Sequence, residues 1–269
     1  MTYKQLVRTI IDYAAPITFP NYSPSSILRL QRVQNRGLRL VLGCHQAAAV
    51  DHLHSEAHVL PVADHLRLLS AQFLAKALQP THPSHSLVIQ HAGPRLMKNT
   101  LRSKVLHVVE PFLTNGIVEP RLYEDTLKKI HTSVVSDAVD ALSPNYVLGQ
   151  RPPLVHPDEV SLPRATRSTL AQLRSGHCHL LKSFQHRLGK VDDDLCPECG
   201  VISHTPSHLF DCVDSPMDLS VDDLWSSPWR AAQFLGTLPS FATLPPCGPP
   251  PPPRLRRRRR PPPEPPPRP

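Results

Sequence analysis

The chain has 269 residues with a formal net charge of +8; 33 residues are proline and only 5% are aromatic, so large core side chains are scarce for one compact globule. From Pro245 onward it holds 14 of the prolines with seven arginines and one glutamate, which assigns most of the positive charge to that end and little to the body. Six cysteines are too sparse for a secreted disulfide scaffold, no signal peptide opens the chain, and Lys4, Arg8 and Asp12 interrupt the first apolar run, so nothing approaches the ~18 apolar residues of a membrane span. These features point to an intracellular chain, in nucleus or cytoplasm.

Helical periodicity dominates. Leu6, Val7, Ile10, Ile11 and Ala14 keep the spacing of a buried helix face, which Pro16 is expected to stop. Ser23-Pro24 reads as an N-cap with proline at the first helical position, opening a helix from Ser25 to about Leu42 that ends at Gly43. A third helix fits Val62 to Gln79, with Leu66, Leu69, Phe73 and Leu78 inward. Residues 86–119 give weak, mixed signals; Pro120 then opens a fourth helix, with Leu127, Ile130, Val134 and Leu142 at helical spacing before Pro144. A fifth fits Ala165 to Leu188, and a sixth Val221 to Leu235 with Pro228 kinking or splitting it. The expected class is mainly α: a helical segment over 1–85, an irregular spacer with one amphipathic helix over 86–163, a basic helix with a cysteine cluster and closing helix over 164–244, and a disordered Pro/Arg-rich tail over 245–269.

The strongest chemical signal is Cys196-x2-Cys199-x8-His208-x3-Cys212. Two cysteines flanking a turn and a His–Cys pair four apart on a helical turn supply four soft ligands for tetrahedral zinc, with no position left for water; the expected metal is therefore structural Zn2+. Accidental spacing of reduced thiols is the competing explanation. His204 competes with His208 for the fourth place, but His208 lies one helical turn from Cys212. Cys44 and Cys178 sit in apolar helical patterns and read as buried free thiols.

Two basic elements are candidates for phosphate contact. At ~100° per residue, Arg29, Arg32, Arg36 and Arg39 form one stripe, with Leu28, Leu30, Leu38, Val41 and Leu42 mostly on the other side. Arg164, Arg167, Arg174 and Lys182 belong to a run of bases over 160–190 that contains no acid. Cations on one stripe can straddle a nucleic-acid backbone, although a solvated face reads the same way. By contrast, residues 191–223 hold nine carboxylates and no Lys or Arg, a poor nucleic-acid ligand and an equally good intramolecular partner for the basic helix.

Tyr3-Lys4-x-Leu6-Val7-Arg8-x3-Asp12-Tyr13-Ala14-Ala15-Pro16, followed by Leu30-Gln31-x-Val33-Gln34-Asn35-x2-Leu38-Arg39, resembles the thumb region of non-LTR retrotransposon reverse transcriptases of the Jockey and I-like type. Leu170-x2-Leu173-Arg174-Ser175-Gly176-His177-Cys178-x-Leu180-Leu181-Lys182-Ser183-Phe184, with Cys196-Pro197-x-Cys199, His208-Leu209-Phe210-x-Cys212 and the closing Leu224-Trp225-x2-Pro228 and Phe234-Leu235, resembles the C-terminal zinc-knuckle segment of the same polyproteins. The resemblance covers about 3–85 and 164–235, in family order; 86–163 fit only as a spacer, and the tail does not fit. It implies a thumb-like helical segment, a knuckle, and a role in gripping RNA or DNA. Full-length relatives would be RNA-directed DNA polymerases, but the aromatic-x-Asp-Asp hairpin that two-metal transfer needs has no counterpart. Asp192-Asp193-Asp194 and Asp222-Asp223 lack the aromatic and the flanking strands.

The remaining constellations are weaker. His54-x3-His58 carries Ser55 where a zinc protease needs glutamate, so surface or capping histidines are expected, and no Gly-x-Ser-x-Gly elbow or Gly-rich phosphate loop occurs. In the tail, Pro249-x2-Pro252-x-Arg254 and Arg260-x2-Pro263-x2-Pro266 match SH3-type ligands, and Arg254 to Arg260 match an import patch or RNA clamp; a low-complexity run without selected function is the alternative. The expected function is a non-catalytic reverse-transcriptase fragment that binds RNA or DNA, with no small-molecule substrate and no membrane. An adaptor acting through tail and acidic knuckle, or a pseudogenic product, is the alternative.

Overall fold

The structure, a computed structural model, describes residues 7–90, 100–212 and 218–245. The expected Pro/Arg-rich tail and the first residues of the thumb-like motif lie outside the described residues, save Pro245. Among the described residues the chain is mainly helical, with no strand beyond two isolated bridges. No helix among them is long and apolar enough to cross a membrane.

Local chemistry sets most helix ends. The first apolar run breaks into α1 (Thr9–Asp12) and α2 (Ala15–Thr18), with Ala14 between them at φ 54°; Pro16 does not stop a helix there but sits in the first turn of α2, where it costs no hydrogen bond. In α3 (Pro24–Leu42), the Ser23 side chain accepts the Ser26 N–H and Pro24 fills the first position. Gly43 ends α3 at φ 71°, where an added Cβ would lie 2.6 Å from Ser168 Oγ, so both conformation and close approach require glycine. The inner face of α3 is centred on Gln34 and Leu38; Leu28 and Val41, expected inside, are 51% and 44% exposed.

Helix α4 (Val50–Ala57) follows, then α5 (Val62–Ala77), the hub of the N-terminal half. Residues 86–163 are more than a spacer with one helix. They run from within α6 (His85–Gln90) through α7 (Leu101–Val109) to α8 (Tyr123–Asp140). Leu68, Ala71, Leu74, Ala75 and Leu78 of the α5 region share one core with Val105 and Val109 of α7, Val118, and Ile130 and Val134 of α8. The alanines let neighbouring helices approach closely, and each buried leucine or isoleucine contributes about 1.5–3 kcal/mol.

The expected helix over Ala165 to Leu188 is two helices, α9 (Arg164–Arg174) and α10 (Lys182–Arg187). Gly176 breaks it at φ 69°, its backbone so close to the Tyr146 ring that a Cβ would meet Cδ1 at 2.7 Å. After α11 (Pro206–Asp211), the closing segment splits as expected at Pro228 into α12 (Asp223–Ser226) and α13 (Pro228–Leu235). The buried aromatics among the described residues all lie in this half: Phe184, Phe210, Trp225, Phe234 and Phe241 pack with Leu170, Leu173, Leu181 and Leu209.

Arg174 joins the two halves. Its side chain is fully buried, with Nη1 donating to Glu56 of α4, Nη2 to Glu159 and Nε to the Leu224 carbonyl at 2.8 Å. The guanidinium lies 5.9 Å from the Trp225 ring centre. Burial disfavours the charge, but Glu56 and Glu159 overcome it and hold the guanidinium protonated. His52 adds a bond across the same seam to the Ala171 carbonyl at 3.2 Å, and Gln172 donates to the Gly43 carbonyl at 2.7 Å. Arg174→Met leaves two buried carboxylates uncompensated and should cost about 3–5 kcal/mol in urea unfolding. Arg164→Ala, at an exposed position, should change stability by no more than about 0.5 kcal/mol; equal losses in the two variants would contradict the assignment.

Candidate metal centre

Backbone pairing builds the cysteine turn. Cys196 N–H donates to the Ile202 carbonyl at 2.7 Å, His204 N–H to the Asp194 carbonyl at 2.7 Å, and Leu195 faces Ser203 in a bridge. Gly200, at φ 68°, donates back to the Cys196 carbonyl at 2.8 Å and closes the turn that carries Cys196 and Cys199. The second ligand pair comes from α11. Thr205 caps it by accepting the His208 N–H at 3.2 Å, Pro206 occupies the first position, and Cys212 follows one turn after His208.

Cys199 Sγ lies 3.2 Å from His208 Nε2, Cys196 Sγ lies 4.0 Å from Cys212 Sγ, and all four ligand atoms lie within 4.8 Å of one another. Bonds of about 2.0–2.3 Å to a tetrahedral metal separate ligand atoms by about 3.3–3.8 Å, so these four residues can hold a metal ion after small adjustments. The Ile202 and Val201 N–H groups draw the Cys199 thiol down to about 6, with His208 adding to the effect, which favours the ligating thiolate.

The neighbouring candidates are placed elsewhere. His204 Nδ1 accepts the Lys182 N–H at 3.1 Å at the start of α10, and its carbonyl accepts from Ser183 Oγ at 2.7 Å. Burial, with the nearby His208 and Lys182, pushes His204 down to about 4, so it stays neutral and holds α10 to the knuckle. Cys178 and Cys44 are buried, and burial pushes each thiol up to about 12.

The basic candidates divide sharply. Arg29, Arg32 and Arg36 are exposed along α3, a helix without a single acid. Arg39 is half-buried and donates to the Ala48 carbonyl at 3.2 Å, part of the link to α4. Arg164 is exposed and reaches the Leu40 carbonyl at 3.5 Å, which brings it to the end of the arginine-bearing helix; Arg167 is half-buried on α9. Lys182 pairs with Asp193 at 3.4 Å. Arg174, expected among the phosphate contacts, is unavailable: its guanidinium is inside the protein and bound to two carboxylates.

His54, expected on the surface or as a cap, is buried instead, with Nδ1 on the Val59 carbonyl at 2.8 Å and Nε2 against Gln31 at 2.9 Å; His58 does take a capping position, at φ 48°. Both line a cleft of about 870 Å³ that also meets His65, His131, His177 and Arg151. Segments far apart in the chain meet there, and no local motif announces it. Several of its polar groups are already engaged: His65 with Asp12 at 2.7 Å, Arg151 with Asp140 at 2.7 Å, and His177 with the Ser175 carbonyl at 2.6 Å.

No protein-family model, curated protein or solved structure matches the chain.

Elemental analysis of the reduced protein should give one metal per chain, and replacing Cys199 by serine or His208 by alanine should abolish it. His204→Ala and Cys178→Ser should keep it. Metal retained in His208→Ala but lost in His204→Ala would overturn the ligand set.

Proposed function

We propose that this chain is a non-catalytic nucleic-acid-binding segment, the C-terminal part of a Jockey- or I-like non-LTR reverse transcriptase, with thumb-like helices followed by a structural zinc knuckle. The observation that carries the reading is the outer face of α3, where Arg29, Arg32 and Arg36 stand exposed with no acid on the helix. Cations so placed replace condensed counterions along a phosphate backbone. Arg164, the first residue of α9, reaches the Leu40 carbonyl near the end of α3 and extends the cationic face.

Zinc is the metal that suits the knuckle best. Three thiolates and one imidazole form a soft, closed set, and the role of such a site is to fold the segment around it. The absence of polymerase chemistry is part of the same reading. Asp193 pairs with Lys182, Asp194 accepts from Ser203 Oγ at 2.6 Å, and Asp223 accepts the Ser220 N–H at 2.9 Å, so these carboxylates serve local structure.

The test uses protein ending at Pro245, because arginines beyond that point would dominate binding. Reversing Arg29, Arg32 and Arg36 to glutamate should weaken binding to single-stranded RNA and lower the salt slope by about two, near 0.7 for each phosphate released. Arg39→Gln should leave the slope nearly unchanged. An unaltered affinity and slope in the triple variant would make the stripe a solvated face and favour an adaptor. Primer extension by the purified chain above background would refute the non-catalytic assignment.

A further inference from the structure

The metal knuckle presents an apolar tip to solvent. Val201 is 75% exposed, Ile202 55% and Leu195 39%, and the Leu195–Ser203 bridge with the Cys196–Ile202 hydrogen bond brings the three into one short hairpin. Aliphatic side chains left in water forgo the stabilisation that burial gives, so a cluster of them favours a cover.

The rim of this tip is acidic. Asp192, Asp193 and Asp194 lead into one arm, and Glu198 lies in the turn. Lys182 pairs with Asp193 and Ser203 donates to Asp194, but Asp192 and Glu198 have no ion-pair partner among the described residues. One Glu198 carboxylate oxygen is screened from water without any hydrogen-bond donor. An apolar patch bordered by unpaired carboxylates fits a ligand that is both apolar and cationic.

The chain carries such a segment beyond the described residues. Arg254 and Arg256 to Arg260 flank Leu255, with prolines on either side. The chain leading to it is anchored on the core that carries α11: Phe241 is fully buried there with Leu209 and Phe210 of α11, and Leu244 packs on that core. Eight residues separate Pro245 from Arg254, a reach of up to about 30 Å over the nine steps. Tethering supplies an effective concentration on the order of millimolar, so a weak contact suffices.

We propose that the Arg/Pro segment 246–269 docks in cis on the Leu195–Val201–Ile202 tip of the knuckle, its arginines opposite Asp192 and Glu198. Docking covers the aliphatic side chains and withholds the arginines of 246–269 from other polyanions. The contact is independent of the α3 stripe, so nucleic-acid binding at α3 can fail without affecting it.

The test is amide hydrogen exchange of Val201 and Ile202 in the full, metal-loaded chain, compared with a variant in which Arg254 and Arg256 to Arg260 are glutamine. In about 50 mM salt, exchange in the unaltered chain should be slower by about five-fold or more. The difference should vanish near 1 M salt, where the screening length falls to about 3 Å. Protection should be constant over about a hundred-fold range of protein concentration, as an intramolecular contact requires. Equal metal content in both proteins separates loss of the contact from loss of the knuckle. Equal exchange at low salt would overturn the proposal. Protection that grows with protein concentration would also overturn it, placing the segment on a second copy.

Discussion

A guanidinium with no access to water must be answered by charge, and Arg174 is answered from three places at once. Glu56 comes from α4, 118 residues earlier; Glu159 comes from the turn before α9; and the Leu224 carbonyl comes from the closing segment. Desolvating such a group costs several kcal/mol, which pairing recovers only if every donor finds an acceptor. The seam therefore requires the three segments to arrive together. Replacing the whole triad by apolar residues of similar volume, Met for Arg174 and Leu for both glutamates, should be near neutral in stability, whereas removing Arg174 alone is costly.

On either side of that seam the two cores solve the shortage of aromatics differently. The N-terminal half uses aliphatic and alanine surfaces on α5, α7 and α8, packed closely because the side chains are small. The C-terminal half gathers the large rings, then rests the cysteine turn on them through Leu209 and Phe210 of α11. Its acidic hairpin has little buried surface of its own, and like charges within it repel. A metal held by Cys196, Cys199, His208 and Cys212 would offset both effects, since structural zinc in small modules contributes on the order of 10–16 kcal/mol at neutral pH.

What the sequence made legible was local. Ser23-Pro24 and Gly43 bound α3 through groups within a few residues, and both helix ends follow from them. The four residues able to hold a metal fall in two short-spaced pairs, so their convergence needed only one turn and one helix. What escaped depended on distant residues. The break at Gly176 is enforced by the Tyr146 ring, and nothing near Gly176 distinguishes it from a tolerated helical glycine. Arg174 looks like one base among several because its glutamates lie far off in sequence. Helix α4 was hidden because Val50–Ala57 carries histidines, a serine and acids where a periodic apolar face is expected; His52 and His54 are nonetheless buried through hydrogen bonds to the Ala171 and Val59 carbonyls.

On the function proposed above, a metal organises the knuckle while the helical core beyond the Arg174 seam stands on its own packing. Site-resolved hydrogen exchange of the full chain, before and after metal is removed with a chelator under reducing conditions, measures this directly. Amides of the cysteine turn, α10 and α11 should lose protection by about a hundred-fold or more, while those of α5, α7 and α8 keep theirs. Unchanged protection in the cysteine turn would deny the metal its role, and simultaneous loss across α5, α7 and α8 would deny the independence of the helical core.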